Sequence, residues 1–224
     1  RRRIKEFFSG AELHEFYGST ELGVSTVLRD EDQLRKKRCV GKPLQDVELR
    51  LIAPGKGEVG PGEVGLLYSR GLCGFRGYWN NAEATEEAFL DAEWATVGDM
   101  ARRDEEGYYY IVDRAKDMII TGGVNVYPVE IEEVLSQMPQ VQDVAVIGVP
   151  DPRWGEAVKA VVVVRPGESL AAEEVIAFCK DRLAGFKVPK SVDFVDVIPR
   201  TSTGKILKRE LRKPYWGDGT IQVS

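Results

Sequence analysis

The chain has 224 residues, of which 43% are hydrophobic, with 31 Lys and Arg against 36 Asp and Glu. An apolar fraction of this size is ordinary for a globular core and excludes a disordered chain. The net charge of −5 leaves no basic surplus to displace counterions, so no nucleic-acid partner is expected.

Cysteine and histidine are both scarce in this chain. Cys39, Cys73 and Cys179 are far apart and odd in number, which predicts neither a disulfide framework nor a zinc site. The single histidine, His14, makes a histidine-based triad or metal cluster implausible, and we expect it on one face of a short strand. No apolar run reaches the roughly 18 residues that span a bilayer. We therefore expect a soluble, cytoplasmic protein without a signal peptide.

The first half of the chain predicts a β-rich region. Short alternating runs predict strands that pair as hairpins, at 47–52, 64–68, 100–103 and 108–112. The Gly/Pro-rich segment 53–62 separates the first two runs, and the acidic turn 104–107 separates the other two. Between the hairpins, Asn80 or Asn81 can cap a short helix over 82–89.

Beyond residue 117 the pattern changes to helices that alternate with strands. Pro128 suits the first turn of a helix that runs to Met138. β-Branched runs predict strands at 141–149, 158–164 and 192–195. Ser169 can cap a second helix, which Gly185 would end. These elements predict a compact α+β domain of about one hundred residues.

The change of pattern divides the chain into two parts. We expect a β-rich part over 1–114 and a small α+β domain over 115–224, with the boundary between Arg114 and Asp117. The predicted fold class is therefore mixed α+β.

A loop near the end of the chain, 198–207 (IPRTSTGKIL), places Lys205 directly after a glycine. A lysine ammonium is a compact point charge on a flexible stem, and a preceding glycine lets the backbone approach a ligand. Spacing excludes a P-loop, because Pro199 stands where that pattern needs glycine and Ile206 where it needs a hydroxyl. Alone, the segment is more simply a solvated lysine on a turn.

Three further segments precede this loop in order. They are Tyr17-Gly18-Ser19-Thr20-Glu21, Gly98-Asp99, and the block 113–130 (DRAKDMIITGGVNVYPVE). Together with Lys205 they resemble the motifs of the adenylate-forming superfamily, which contains acyl-CoA synthetases, luciferases and the adenylation domains of peptide synthetases. The resemblance covers nearly the whole chain.

This resemblance implies a two-domain arrangement. Residues 1–114 would be the C-terminal, β-rich part of the AMP-binding N-terminal domain, and 115–224 the mobile C-terminal lid domain. Family members carry a long upstream region that holds the triphosphate and most of the acyl pocket. We therefore expect this chain to be the C-terminal portion of a longer enzyme and to be inactive alone.

The implied activity is that of an AMP-forming acyl-CoA synthetase, an acid–thiol ligase. Such an enzyme joins a carboxylic acid, here expected to be fatty or aryl, to ATP with Mg²⁺, and passes the acyl group of the adenylate to coenzyme A. A long-chain fatty acid would imply association with a membrane surface. Two alternatives stay open: a peptide-synthetase adenylation domain, which the segment 206–211 (ILKREL) disfavours, and a non-catalytic lid or interaction fragment.

The resemblance assigns the catalytic roles to three residues. Lys205 would bridge the attacking carboxylate and the α-phosphate. Glu21 would hold Mg²⁺, a hard cation that prefers oxygen ligands, and Thr20 would donate its hydroxyl to a phosphate. Stabilising charge on the phosphate is the main catalytic task in such a reaction.

Nucleotide binding is assigned to residues of three motifs. The segment Tyr17-Gly18-Ser19 would contact the adenine, with the tyrosine ring stacked on the base. Asp99 would accept both ribose hydroxyls, since a carboxylate has two oxygens. Arg114 would be a second ribose contact. Val97 replaces the Ser or Thr that family members usually carry before Gly-Asp, so a hydroxyl contact is lost.

The remaining assignments concern movement and coenzyme A. Lys116 matches the hinge about which the lid turns between two half-reactions. Gly122 and Gly123 resemble the wall of the pantetheine tunnel, where absent side chains let the thiol arm pass. Residues that match contacts to the nucleotide end of coenzyme A are Trp154, Phe186, Lys187 and Lys190.

Overall fold

The structure, a computed structural model, describes residues 1–216. The chain forms two compact units, one spanning Arg1–Ala115 and the other beginning at Lys116. This division differs by one residue from the predicted boundary, and the last eight residues of the predicted second domain lie outside the described residues. No helix among residues 1–216 is both long and apolar enough to cross a bilayer.

Both units combine strands with short helices, and the predicted mixed α+β fold class is confirmed. The described helices are α1 (Arg2–Phe7), α2 (Ala82–Ala88), α3 (Pro128–Leu135), α4 (Ala172–Lys180) and α5 (Lys208–Trp216). The strands of the first unit are β1 (Glu15–Ser19), β2 (Gly23–Leu28), β3 (Lys42–Pro43), β4 (Val47–Ala53), β5 (Gly57–Glu58), β6 (Val64–Gly71), β7 (Asp99–Arg103) and β8 (Tyr109–Arg114). Those of the second unit are β9 (Ile119–Thr121), β10 (Val124–Val126), β11 (Val141–Asp151), β12 (Gly155–Val164) and β13 (Ser191–Phe194).

The first unit contains two antiparallel sheets within the described residues. The smaller has the order β1-β2-β3 and the larger β5-β4-β6-β7-β8. Alternation along β4 buries Leu49 and Leu51 against Leu67 of β6, as a period of two requires. The predicted hairpin pairings are confirmed, β4 with β6 and β7 with β8. Asn81 caps α2, since its side chain accepts a hydrogen bond from the Ala84 N–H at 3.1 Å.

The second unit is a sheet with helices on both faces. Its strand order is β10-β9-β12-β11, and β13 pairs with β12 in parallel. Neighbouring residues of β11 point to opposite faces. On one face α3 and α4 bury Ile131 and Val175 against Val146 of β11. On the other, Tyr215 of α5 packs against Ile147.

The predicted ends of the helices in the second unit are wrong. The helix predicted from Ser169 begins at Ala172, because the side chain of Glu174 accepts a hydrogen bond from the Ala171 N–H at 2.7 Å. It ends at Lys180, and Gly185 instead begins a short 3₁₀ turn.

Two smaller sequence expectations also fail. The helix predicted to reach Met138 ends at Leu135, because the chain beyond it forms i→i−3 hydrogen bonds, from the Gln137 and Met138 N–H groups to the Val134 and Leu135 carbonyl oxygens, both at 3.1 Å. His14 lies just before β1 rather than on it, and its Nε2 is 3.0 Å from a carboxylate oxygen of Glu12.

Candidate active site

Three predicted nucleotide-binding residues meet in the first unit. The Tyr17 hydroxyl donates to Asp99 Oδ2 at 2.6 Å, and Arg114 Nε lies 2.7 Å from Asp99 Oδ1. Asp99 is 7% exposed, whereas the Arg114 side chain is only partly buried. The buried carboxylate is thus held by a cation on one oxygen and a phenol on the other.

Strand pairing explains why these residues converge. Asp99, the first residue of β7, lies opposite Arg114, the last residue of β8. Tyr17 precedes a bulge in β1, and a Cβ at the next residue, Gly18, would stand 2.0 Å from the Gly23 carbonyl oxygen. Glycine is therefore required at this bulge for close backbone approach. The motif therefore begins in β1 and continues into the turn that follows it.

Burial and the neighbouring carboxylate keep the Tyr17 phenol protonated. Desolvation raises the pKa of Tyr17 far above its ordinary value, and the charge of Asp99 and the hydrogen bond to it raise it further. The phenol therefore stays a donor at neutral pH. Arg114 is also fixed by a second contact, in which its Nη1 donates to the Val97 carbonyl oxygen at 3.1 Å. Position 97 thus contributes its backbone carbonyl to the site, a contact that does not depend on its side chain.

Glu21 lies in the turn between β1 and β2, and two aromatic residues hold it. The Phe75 N–H donates to the Glu21 carbonyl oxygen at 2.7 Å, and the Tyr78 hydroxyl donates to Glu21 Oε1 at 3.1 Å. Burial raises the pKa of the Glu21 carboxyl, but hydrogen bonds from its own N–H, from Tyr78 and from Ser19, with the charge of Arg114, lower it below its ordinary value. The side chain is therefore an anion at neutral pH.

Tyr78 was missed by the sequence reasoning. It follows Gly77, and its N–H donates to the hydroxyl of Thr85 on α2 at 2.9 Å. Its ring packs edge-on against Phe75 at 5.0 Å between centroids. The only signal in the sequence was that Tyr78 lies three residues before Asn81, the predicted helix cap. That position predicts a turn of the chain, but it does not predict the contact of Tyr78 with Glu21.

A divalent cation would find one carboxylate at this turn. The described residues contain no group of three or more His, Cys, Asp or Glu side chains that could hold a metal. Mg²⁺ is commonly bound by one or two carboxylates together with substrate phosphates, and an ionised Glu21 fits that mode. Thr20, the other predicted catalytic residue here, is exposed in the same turn.

Lys205 lies in a closed loop of the second unit. The Thr201 N–H donates to the Lys205 carbonyl oxygen at 2.8 Å, and the Thr201 hydroxyl accepts from the Lys205 N–H at 3.1 Å. Gly204 has φ +83°, a conformation that a side chain would strain. Arg200 fastens the loop to β11 through the two carboxylate oxygens of Asp143, at 2.8 and 2.7 Å. The Lys205 side chain is exposed, and within residues 1–216 its ammonium forms no ion pair.

Gly122 and Gly123 form the tight turn between β9 and β10, with φ of +58° and +78°. A two-residue hairpin turn with both φ positive favours glycine. At Gly122 a Cβ would stand 2.9 Å from the Trp154 ring, and the Gly122 N–H donates to the Trp154 carbonyl oxygen at 2.8 Å. At Gly123 no described heavy atom lies within 4 Å of that position, so this side of the turn is open.

The residues matched to coenzyme A differ in whether their side chains are exposed or already bound to another residue. Trp154 is 44% exposed, with Arg153 stacked on its ring at 4.5 Å, and Phe186 is also exposed. Lys187, however, donates to both carboxylate oxygens of Glu130, at 2.8 and 2.6 Å. This lysine is therefore already paired.

Comparisons with known proteins identify the family. The family described as AMP-binding enzyme matches residues 1–79, and AMP-binding enzyme C-terminal domain matches residues 130–205. A feruloyl-CoA synthase from an Amycolatopsis species is 46% identical over 207 residues, covering 92% of this chain and 42% of that protein. The chain belongs to the adenylate-forming superfamily.

Further similarities extend over the same portion. A long-chain-fatty-acid–CoA ligase from Escherichia coli O157:H7 is 44% identical, covering 91% of this chain and 36% of that protein. The crystal structure of ATP-bound MatB from Rhodopseudomonas palustris has a TM-score of 0.84 at 40% identity, covering 92% of this chain and 41% of that one. The chain thus spans about two fifths of the length of these superfamily members.

Within this superfamily member, the predicted site residues fall into two sets. The first unit brings together Tyr17, Asp99 and Arg114, and the charge of Arg114 also acts on Glu21. The second unit holds the Lys205 loop and the glycine turn that contacts Trp154. The roles assigned to all of these residues stay predictions.

Proposed function

We propose that this chain is the C-terminal portion of an AMP-forming acyl-CoA synthetase. The observation that carries the proposal is the buried carboxylate of Asp99, held by Tyr17 and Arg114 in a member of the adenylate-forming superfamily. The longer enzyme converts a carboxylic acid and ATP to an acyl-adenylate and pyrophosphate, and then forms the coenzyme A thioester.

Asp99 binds the ribose of the nucleotide in this proposal. Each carboxylate oxygen has about two lone-pair positions, and one on each is used by Tyr17 and Arg114. One position on each oxygen is left for a ribose hydroxyl. The two protein contacts fix the plane of the carboxylate, and the adenine base stacks beside the Tyr17 ring.

Glu21 and Thr20 serve the phosphates. The ionised Glu21 provides an oxygen ligand for Mg²⁺, and its Oε1 is oriented by Tyr78. The cation, when bound, supplies positive charge against the phosphate oxygens. The exposed hydroxyl of Thr20 donates to a phosphate from the same turn.

The second unit acts as the lid and serves both half-reactions. In the first, Lys205 places its ammonium between the attacking carboxylate and the α-phosphate, where it stabilises developing charge. In the second, the lid turns about Lys116, and the open side of the turn at Gly123 lets the pantetheine arm reach the adenylate. Trp154, which is exposed next to that turn, contacts the nucleotide end of coenzyme A.

The acid is proposed to be fatty or aryl. Support comes from the similar proteins, which are named a feruloyl-CoA synthase and a long-chain-fatty-acid–CoA ligase. The test is an ATP-dependent thioester assay of the longer enzyme over a panel of fatty, aryl and steroid acids, with AMP and pyrophosphate as co-products. Release of ADP, or transfer to a carrier domain with no free thioester, would contradict the proposal.

Replacing Asp99 with alanine is expected to weaken ATP binding by at least roughly tenfold. Hydrogen bonds to a charged group contribute about 1.5–3 kcal/mol each, and about 1.4 kcal/mol is a tenfold change in affinity. Calorimetric titration of the longer enzyme with ATP measures the effect. Asp46→Asn removes an exposed carboxylate of the same unit and serves as the control. Unchanged ATP affinity in the Asp99 variant would exclude the ribose role.

Replacing Tyr78 with phenylalanine is expected to raise the Mg²⁺ concentration needed for half-maximal pyrophosphate exchange by about tenfold. A partner that orients a ligating carboxylate typically contributes that much to metal affinity. The ring and its packing on Phe75 are kept, so the effect reports the hydroxyl alone. Excess Mg²⁺ should restore the rate. Tyr68→Phe removes the same atom elsewhere in the first unit and should leave the Mg²⁺ requirement unchanged.

A further inference from the structure

A buried arginine of α5 binds the segment where the second unit begins. Arg212 is 7% exposed, and its Nη1 donates to the Lys116 carbonyl oxygen at 2.8 Å. Its Nη2 donates to the Asp117 carbonyl oxygen at 3.2 Å and lies 3.3 Å from Asp117 Oδ1. The planar fork of the guanidinium suits two neighbouring carbonyl groups, whereas a lysine offers one point charge.

The helix that carries Arg212 is itself held by the sheet and by α3 of the second unit. Lys208, also buried, pairs with Glu132 of α3 at 2.8 Å. The Tyr215 hydroxyl donates to Asp193 of β13, and on the next residue the Trp216 indole N–H donates to the Gly148 carbonyl oxygen of β11 at 3.0 Å. These residues follow one another at helical spacing on the buried side of α5. Segment 116–117 is therefore attached, through Arg212, to the core of the second unit.

The attachment begins at the residue where the unit begins. The first unit ends at Ala115, and Lys116 is the first residue whose carbonyl Arg212 binds. Because that carbonyl is fixed, the peptide between positions 116 and 117 moves with the second unit. When the lid rotates, the backbone dihedral angles that change are therefore those of Lys116 and the residues before it. The dihedral angles of the residues after Lys116 stay fixed.

We propose that Arg212 is a positioning residue that confines the hinge to Lys116 by holding the following peptide against α5. This inference rests on the proposed two-step function, in which the lid must turn between half-reactions. Lys205 lies three residues before α5, so the same fastened helix connects the loop of the proposed catalytic lysine to the hinge. A hinge of one residue lets that loop return to the same place in each cycle.

The decisive experiment compares one hinge substitution in two backgrounds of the longer enzyme. In the parent enzyme, Lys116→Pro is expected to lower thioester formation from a supplied acyl-adenylate by about 10²-fold, the typical cost of misplaced reacting groups. In the Arg212→Met background, positions 117 and 118 are released and can take up the rotation. The same proline should then cost less than about tenfold. If Arg212 only stabilised the fold, Arg212→Met would lower the rate of thioester formation by a factor of its own. The proline would then lower that rate by the same factor in both backgrounds.

The matched control is Arg209→Met, which removes an exposed arginine from the same helix and should leave the full cost of the proline. If Arg212→Met does not fold, Arg212→Lys keeps a charge, cannot bind both carbonyls, and allows the same comparison. An equal cost of the proline in the parent and the Arg212 variants overturns the proposal.

Hydrogen exchange separates this proposal from the proposed function. The amides of residues 116–118 should exchange about tenfold faster in the Arg212 variant, because a segment that loses its tie opens locally. Unchanged exchange there overturns the proposal. If the parent enzyme forms neither adenylate nor thioester, the proposed function fails, and the exchange result alone then decides whether Arg212 fastens the segment.

Discussion

Replacing Lys205 with alanine is expected to abolish adenylate formation while leaving transfer of a supplied acyl-adenylate to coenzyme A largely intact. The loop around Lys205 is held by Thr201 and by the contact of Arg200 with Asp143, so only the side chain is lost. Removing one preorganised donor from a developing anion costs roughly 10²–10³ in rate, and a full charge should cost at least that. Pyrophosphate exchange and thioester formation, measured separately on the longer enzyme, test this split.

The control for this variant is Lys180→Ala, which removes an exposed lysine from the last turn of α4. Both half-reactions should keep their parent rates in it. An equal fall of both half-reactions in the Lys205 variant would show that the lysine stabilises the lid or serves both steps, and the assigned role would be wrong.

The residues of the nucleotide cluster could be predicted, but their convergence could not. Tyr17, Asp99 and Arg114 belong to motifs with a recognisable order, yet Tyr17 and Asp99 are 82 positions apart. Strand patterns gave the hairpin that sets Asp99 opposite Arg114. The approach of β1 depends on packing between elements that no local periodicity encodes.

The errors in element ends came from competing local interactions. Ser169 is a good capping residue by type, but the chain starts α4 where Glu174 can accept from the Ala171 N–H.

Residues that act through other residues were the hardest to predict. Tyr78 meets Glu21 across 57 positions, and Arg212 meets Lys116 across 96. The charged residues Lys208 and Arg212 suggest a solvated helix face, but each is buried because a specific partner satisfies it. Such partners become visible only once the fold has placed both members of a pair.

Replacing Lys116 with proline is expected to have the opposite effect to the Lys205 variant. Proline fixes φ near −65°, so a residue whose backbone must change during each cycle is frozen. Pyrophosphate exchange should stay near the parent rate, and thioester formation from a supplied adenylate should fall by about 10²-fold. The Lys116 side chain is exposed, so Lys116→Ala is the matched control and should leave both activities near the parent rates. If proline lowers both half-reactions equally, or alanine lowers the second as much as proline does, position 116 is not the hinge.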